Sequence, residues 1–208
     1  MIYEYIDEDT FCELNIGVEQ RRSKVNSLNQ GQLRNVVNVN TCCIGKVKCL
    51  LIQFNKSDKM GAIGVAEGEK ITLAFEDATR KKLPIITVVA SGGIRVNEGT
   101  LALMQMSKMV AAVKQHSDRG LLYIAVVTNP TLGGVSASFV SLADIIIAEK
   151  NAIYGFSGRR IIENTTHEQL PDNFQTAEYA KRHGMVDIVA DKSDIKQIIS
   201  KLLQVHER

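Results

Sequence analysis

Two glycine turns, Ser91-Gly92-Gly93-Ile94-Arg95 and Pro130-Thr131-Leu132-Gly133-Gly134-Val135-Ser136, constrain this chain more than any other feature. Each follows an apolar run with strand character and opens a stretch with helical spacing, so each reads as a strand-to-helix elbow. Glycine admits positive φ and lets another group approach the main chain closely. The first N–H groups of a helix lack internal partners and carry partial positive charge. Two such elbows in successive units can aim N–H donors at one point. Donors aimed that way stabilise negative charge on a carbonyl oxygen, each worth about 3 kcal/mol of barrier. One Gly-Gly turn alone reads equally as a packing device. Two in equivalent places point to acyl or enolate chemistry run by the main chain.

The elbows sit in a chain of alternating strands and helices. Residues 46–55, 83–90, 121–127, 143–148 and 185–189 are apolar and β-branched runs that predict strands, with 152–154 as a further short one. Residues 67–82, 98–116, 134–142, 174–184 and 194–205 carry helical spacing, and Gly184 closes the fourth of these. Residues 56–66, with Gly61 and Gly64, read as a loop. This alternation predicts an α/β fold with mostly parallel pairing. Residues 1–43 read as a partly irregular N-terminal extension and 44–208 as the main domain. Within the extension, residues 18–40 are rich in Asn, Gln, Ser and Arg and predict surface helix and loops.

Composition excludes several function classes. A hydrophobic content of 45% with 23% charged residues is that of a water-soluble globular chain. No apolar stretch approaches the ~20 residues needed to span a bilayer. The acidic start, Met1-Ile2-Tyr3-Glu4-Tyr5-Ile6-Asp7-Glu8, lacks the basic and apolar regions of a secretory signal, so a cytoplasmic protein with no membrane partner is expected. A net charge of +2 and few aromatics argue against a nucleic-acid surface. Cys12, Cys42, Cys43 and Cys49 form no C-x2-C pair and read as reduced thiols rather than a metal or redox site. His116, His167, His183 and His206 lack metal-site spacing, and neither a G-x-S-x-G elbow nor a Walker loop occurs. No metal ligand set is therefore expected. Arg95 and Glu98 flank the first elbow, where they orient substrate or form a cap or ion pair. Arg160 closes a third glycine loop, Gly155-Phe156-Ser157-Gly158-Arg159-Arg160, and can meet a phosphate or carboxylate bidentately or serve as a surface ion pair.

Three segments together resemble a known family. They are Ser91-Gly92-Gly93-Ile94-Arg95 with Glu98-Gly99 and Leu103-Met104-Gln105-Met106; Val127-Thr128-Asn129-Pro130 running into the second elbow and on to Phe139; and the third loop continued through Ile161-Ile162-Glu163 to Leu170-Pro171-Asp172-Asn173-Phe174-Gln175. In this order they are similar to the carboxyltransferase β subunit of bacterial acetyl-CoA carboxylase, over roughly residues 45–190. The resemblance implies a crotonase-type fold, a spiral of repeated ββα units with nearly perpendicular sheets. It implies an enzyme that moves a carboxyl group between carboxybiotin and a short acyl-CoA, converting acetyl-CoA to malonyl-CoA through an enolate. The implied oxyanion donors are main-chain N–H groups of Gly92 or Gly93 and of Gly133 or Gly134, with Ser91, Arg95 and Arg160 binding substrate. The implied cofactor is biotin on a separate biotin carboxyl carrier protein, and the implied assembly is a hetero-oligomer with an α-type carboxyltransferase subunit. No general base is needed in that scheme, because biotin freed of CO2 can take the α proton.

The chain also departs from the family pattern. The zinc ribbon that bacterial members carry ahead of the catalytic domain has no counterpart, so no zinc is expected. Arg159 stands where proline is usual, and Asn129 where aspartate is more frequent. These departures keep three alternatives open: a specialised pathway, a biotin-independent malonyl-thioester decarboxylase or other crotonase-type acyl-CoA enzyme, and a non-catalytic assembly subunit.

Overall fold

The computed structural model describes residues 5–13, 36–57 and 59–207. Seven strands form one sheet in chain order: β1 (Cys12–Glu13), β2 (Val37–Ile44), β3 (Val47–Phe54), β4 (Ile85–Ser91), β5 (Tyr123–Thr131), β6 (Ile145–Glu149) and β7 (Ile188–Ala190). The first three pair antiparallel, and β3 through β7 pair parallel. Gly45 and Lys46 alone join β2 to β3, with φ of 60 and 70. Positive φ at both central residues matches the twist of a tight hairpin.

Parallel neighbours require crossovers, and helices supply them. α1 (Val65–Lys81) links β3 to β4, α2 (Thr100–Ser117) links β4 to β5, and α3 (Gly133–Ser138) leads from β5 towards β6. α4 (Arg159–Thr166) and α5 (Ala177–Arg182) lie between β6 and β7, and α6 (Lys192–His206) follows. One face of the sheet buries Leu50, Ile52, Ile85, Val89, Ala125 and Val127 against Ile71 and Phe75 of α1, Met109 and Val113 of α2, and Val135 and Phe139. The other buries Leu51, Ile86, Ile124, Val126 and Ile147 against Ile195, Ile199 and Leu203 of α6, with Tyr5 and Ile6. Coverage on both sides explains why β4 is buried at every position and reads as an unbroken apolar run.

The α/β class and the strand–helix alternation are as expected. The second layer implied by ββα units consists of single bridges at Ile63–Ile94, Thr131–Tyr154 and Ile153–Thr176. Two expectations are corrected. Val37–Ile44 is a strand paired along its whole length with β3, whereas the sequence reading carries helix and loops to residue 40 and ends the extension at 43. Alternating Val37-Asn38-Val39-Asn40 was the available signal: both valines face the α1 core, and the asparagines suggest a loop only when that period is ignored. The rest of the 18–40 expectation lies outside the described residues. The third glycine loop continues into α4, held by Arg159, which pairs with Glu163 at 3.0 Å and donates to the Leu170 carbonyl at 2.9 Å and to that of Pro171.

Cys42 and Cys49 face each other across β2 and β3, their sulfurs 3.7 Å apart and both buried. The neighbouring Cys42 thiol and burial together push the Cys49 thiol pKa up.

His116 is fully buried beneath α1. Its Nδ1 lies 3.0 Å from Thr79 Oγ1, and Phe75 packs edge-on against its ring. Burial holds its pKa below the ordinary 6.5, although the Leu122 carbonyl and Asp144 pull the other way. A depressed folded value means that the unfolded chain takes the proton first. Stability from this site is therefore full above pH 6.5 and is lost as pH falls through the folded value. His116→Gln is expected to flatten that acid limb when melting temperatures are followed from above pH 6.5 downward.

Candidate active site

β4 and β5 are adjacent, parallel and level at their ends, with Ser91 opposite Thr131. The turns that follow them leave the same sheet edge about one strand spacing, ~4.8 Å, apart. Gly93 and Gly133 both take positive φ, 122 and 71. A Cβ placed on Gly93 would lie 3.5 Å from Gly133 Cα and 3.8 Å from Gly134 N. One placed on Gly133 would lie 3.0 Å from Gly93 Cα. The two elbows thus touch main chain to main chain, an approach that only glycine permits.

Their N–H groups are not equally available. Gly92 donates to the Met60 carbonyl at 3.0 Å, and Gly133 to the Phe156 carbonyl at 2.7 Å. Gly93 donates to Ser91 Oγ at 3.1 Å. These three bonds build the elbows: they take up both members of the expected pair Gly92 or Gly93, and Gly133 of the pair Gly133 or Gly134. Gly134 remains, the second residue of α3, and among the described residues its N–H finds no acceptor. The N–H of Ile94 is likewise unpaired. Bridge pairing with Ile63 uses the Gly93 carbonyl and the Arg95 N–H, which leaves the amide between them facing away. Sequence reasoning passed over Ile94 because it looked for glycines; the alternation of bonded and free amides along an extended segment was the missing signal.

Ser91 is also corrected. Its buried hydroxyl donates to the Gly61 carbonyl at 2.7 Å and accepts from Gly93, so it splints the first elbow to the loop before α1. Arg95 is no free guanidinium either. It pairs with Glu67 at 2.6 Å and Glu98 at 2.5 Å and donates to the Ala62 carbonyl at 3.0 Å. Burial pulls its pKa down, but the two carboxylates overcome that and raise it. Of the expected side chains only Arg160 is exposed and without an ion pair among the described residues. It is the second residue of α4, one turn of chain beyond Phe156, whose carbonyl holds Gly133.

Apolar side chains frame the elbows. Met60 packs over Gly92, with its Cβ 3.7 Å from where a Gly92 side chain would begin, yet it is 70% exposed. Phe156 is 66% exposed beside the second elbow. Gln175 secures that loop from behind, donating to the Ser157 carbonyl at 2.6 Å. Ser136 ties Gly133 to Gly155 through both carbonyls, at 2.8 and 2.7 Å. The assembly is a rigid main-chain cradle with an available amide and an apolar margin, suited to hold a polarised carbonyl.

The carboxyl transferase domain family matches residues 2–206. The chain is 48% identical over 190 residues to acetyl-coenzyme A carboxylase carboxyl transferase subunit beta 1 of Lachnospira eligens, covering 91% of this chain and 73% of that one. It is 42% identical over 212 residues to the corresponding subunit beta of Prochlorococcus marinus strain MIT 9215, covering 96% and 72%. Among solved structures, transcarboxylase 12S superposes with a TM-score of 0.83 at 26% identity, over 96% of this chain and 39% of that one. A malonate decarboxylase hetero-dimer from Pseudomonas superposes at 0.78 with 20% identity, over 97% and 83%, a likeness of fold. With a family match across almost the whole sequence and two subunits beta at 48% and 42% identity over most of both chains, the chain belongs to the carboxyl transferase family as a member of its beta-subunit type.

Proposed function

We propose that this chain carries the acyl-CoA half of a carboxyl transfer between biotin and acetyl-CoA, forming malonyl-CoA, and that the joined elbows hold the thioester oxygen. The observation that carries this reading is the main-chain contact between Gly93 and Gly133 beside the unpaired N–H of Gly134. Removing a proton from the α carbon of a thioester drives charge onto its oxygen. A fixed amide at a helix start, next to a second at Ile94, meets that charge without reorganising. Main-chain donors suit a biotin urea oxygen as well as a thioester oxygen. Biotin, brought by a carrier protein, would supply the carboxyl group and a nitrogen base. This chain's own part is to seat the thioester, exclude water with Met60 and Phe156, and hold the oxygen. An α-type carboxyltransferase subunit and a biotin carboxyl carrier protein are the proposed partners, in a cytoplasmic hetero-oligomer.

The test combines the chain with an α-type subunit and follows malonyl-CoA-dependent carboxylation of a free biotin derivative. Carboxylated biotin from the pair, and none from either chain alone, is the expected result. Turnover of malonyl-CoA by this chain alone, unaffected by avidin, would replace the reading with decarboxylation. Arg160 offers a separate check. As an exposed charge facing a polyanionic substrate it should act on binding: Arg160→Ala is expected to raise KM for the acyl-CoA about tenfold with kcat nearly unchanged, and Arg160→Lys to recover part of the loss.

A further inference from the structure

Beside the first elbow lies a closed ion cluster that none of the foregoing chemistry uses. The side chains of Arg95, Glu67 and Glu98 are 12%, 10% and 18% exposed. Each carboxylate divides its oxygens between two tasks. Glu67 Oε1 meets Arg95 at 2.6 Å while its Oε2 accepts the Gly64 N–H at 2.9 Å. Glu98 Oε1 meets Arg95 at 2.5 Å while its Oε2 accepts the Val65 N–H at 2.8 Å. Arg95 also holds the Ala62 carbonyl. Gly64 has no room for a side chain, since a Cβ there would overlap the Glu98 carboxylate and lie 2.7 Å from Arg95 Nη1. Three chain segments are locked: residues 62–65, the start of α1, and the run from the first elbow into α2.

The locked loop is the seat of the elbow. Met60 and Gly61 supply the carbonyls that hold the Gly92 N–H and the Ser91 hydroxyl, and Ile63 bridges Ile94. We infer that the Arg95–Glu67–Glu98 cluster is a positioning clamp that sets the height of the first elbow against Gly133 and Gly134, so that it governs turnover rather than substrate affinity. The inference rests on the carboxyl transfer proposed above, but the geometry it asserts can be read without activity. Arg95 is suited to the task because its planar fork holds two carboxylates and a carbonyl in fixed directions from two separate nitrogens, whereas an ammonium presents its donors from a single freely rotating point. A main-chain donor displaced by about 1 Å costs on the order of 100-fold in rate.

The experiment uses the full chain with its partner subunit and two variants, Glu98→Gln, which keeps shape and the bond from Val65, and Arg95→Lys, which keeps charge but not the fork. Both are expected to lower kcat about 10- to 100-fold with KM for the acyl-CoA within about threefold of the unaltered protein. Amide exchange supplies the second arm. Peptides covering 60–65 and 91–95 should exchange faster in both variants, with those of β3 and β6 unchanged. A lower melting temperature accompanied by normal kcat and unaltered exchange at 91–95 would overturn the clamp. So would exchange that rises equally in β3 and β6. If the unaltered protein transfers no carboxyl group, the functional reading fails by itself, and the exchange arm still decides the clamp.

Discussion

Gly134→Val is expected to remove nearly all carboxyl transfer while the protein stays folded. A Cβ at this position would lie 2.5 Å from Met106 Sδ and 2.7 Å from Ile94 Cγ1. Met106 ends in a flexible chain and can turn aside. Ile94 belongs to the opposite elbow, and moving it moves the second unpaired amide. The backbone at Gly134 needs no positive φ, so valine strains packing rather than the chain, at about 1–3 kcal/mol of stability. Function suffers more, because the substitution separates the two donors and fills the space above one of them. Loss of one oxyanion donor costs about 10²–10³ in kcat, and displacement of both puts the variant at or beyond the upper end. Steady-state kinetics at saturating acyl-CoA, alongside a melting curve, measures both effects. A folded variant with kcat within about threefold of the unaltered protein would remove the elbows from the mechanism.

That prediction targets a residue legible in the sequence, and the reason is physical. A glycine pair after a buried strand marks a place where main chain approaches main chain, and a parallel sheet in chain order carries successive elbows to one edge. β4 was readable because burial on both faces makes it an unbroken apolar run, and β3, β5 and β6 because their central stretches, Leu50-Leu51-Ile52, Ile124-Ala125-Val126-Val127 and Ile145-Ile146-Ile147, are apolar. What sequence could not supply was the hydrogen-bond ledger. Gly92, Gly93 and Gly133 look alike as letters, yet each N–H is taken by a partner distant in sequence or by the Ser91 hydroxyl. The ion pair of Arg95 with Glu98, three positions on, was open to the sequence, but its second partner Glu67 lies 28 positions earlier, across a helix start, and it is Arg159 rather than Arg160 that takes Glu163. Long-range pairing of polar groups has no period and no local motif, so it becomes visible only with the fold. The α4 helix escaped for a related cause: Asn164, Thr165 and Thr166 are poor helix formers, and the structure offsets them with clasps from Arg159 to Leu170 and Pro171.

Gly61→Ala should destabilise the fold and disable the site together. Gly61 has φ 67, and a Cβ there would overlap the carbonyl oxygen of Ala90 and lie 3.1 Å from its carbon. Ala90 belongs to β4, buried at all of its positions, and lies between Val89, paired with Val127, and Ser91, paired with Thr131, so its carbonyl has little room to withdraw. The loop must move instead, taking with it the carbonyls that hold Gly92 and Ser91. Left-handed backbone strain accounts for about 1–2 kcal/mol of the cost. The forced shift and the lost bonds bring the total to about 3 kcal/mol or more. For a chain of this size that lowers the melting temperature by roughly 6–12 °C. Gly120→Ala separates the two causes, since Gly120 has nearly the same φ, 66, with nothing within 4 Å of its absent side chain. It should show the backbone strain alone and retain carboxyl transfer. If the two alanine variants melt alike and turn over alike, the loop beneath the first elbow is no support, and the donors owe their placement to the sheet edge alone.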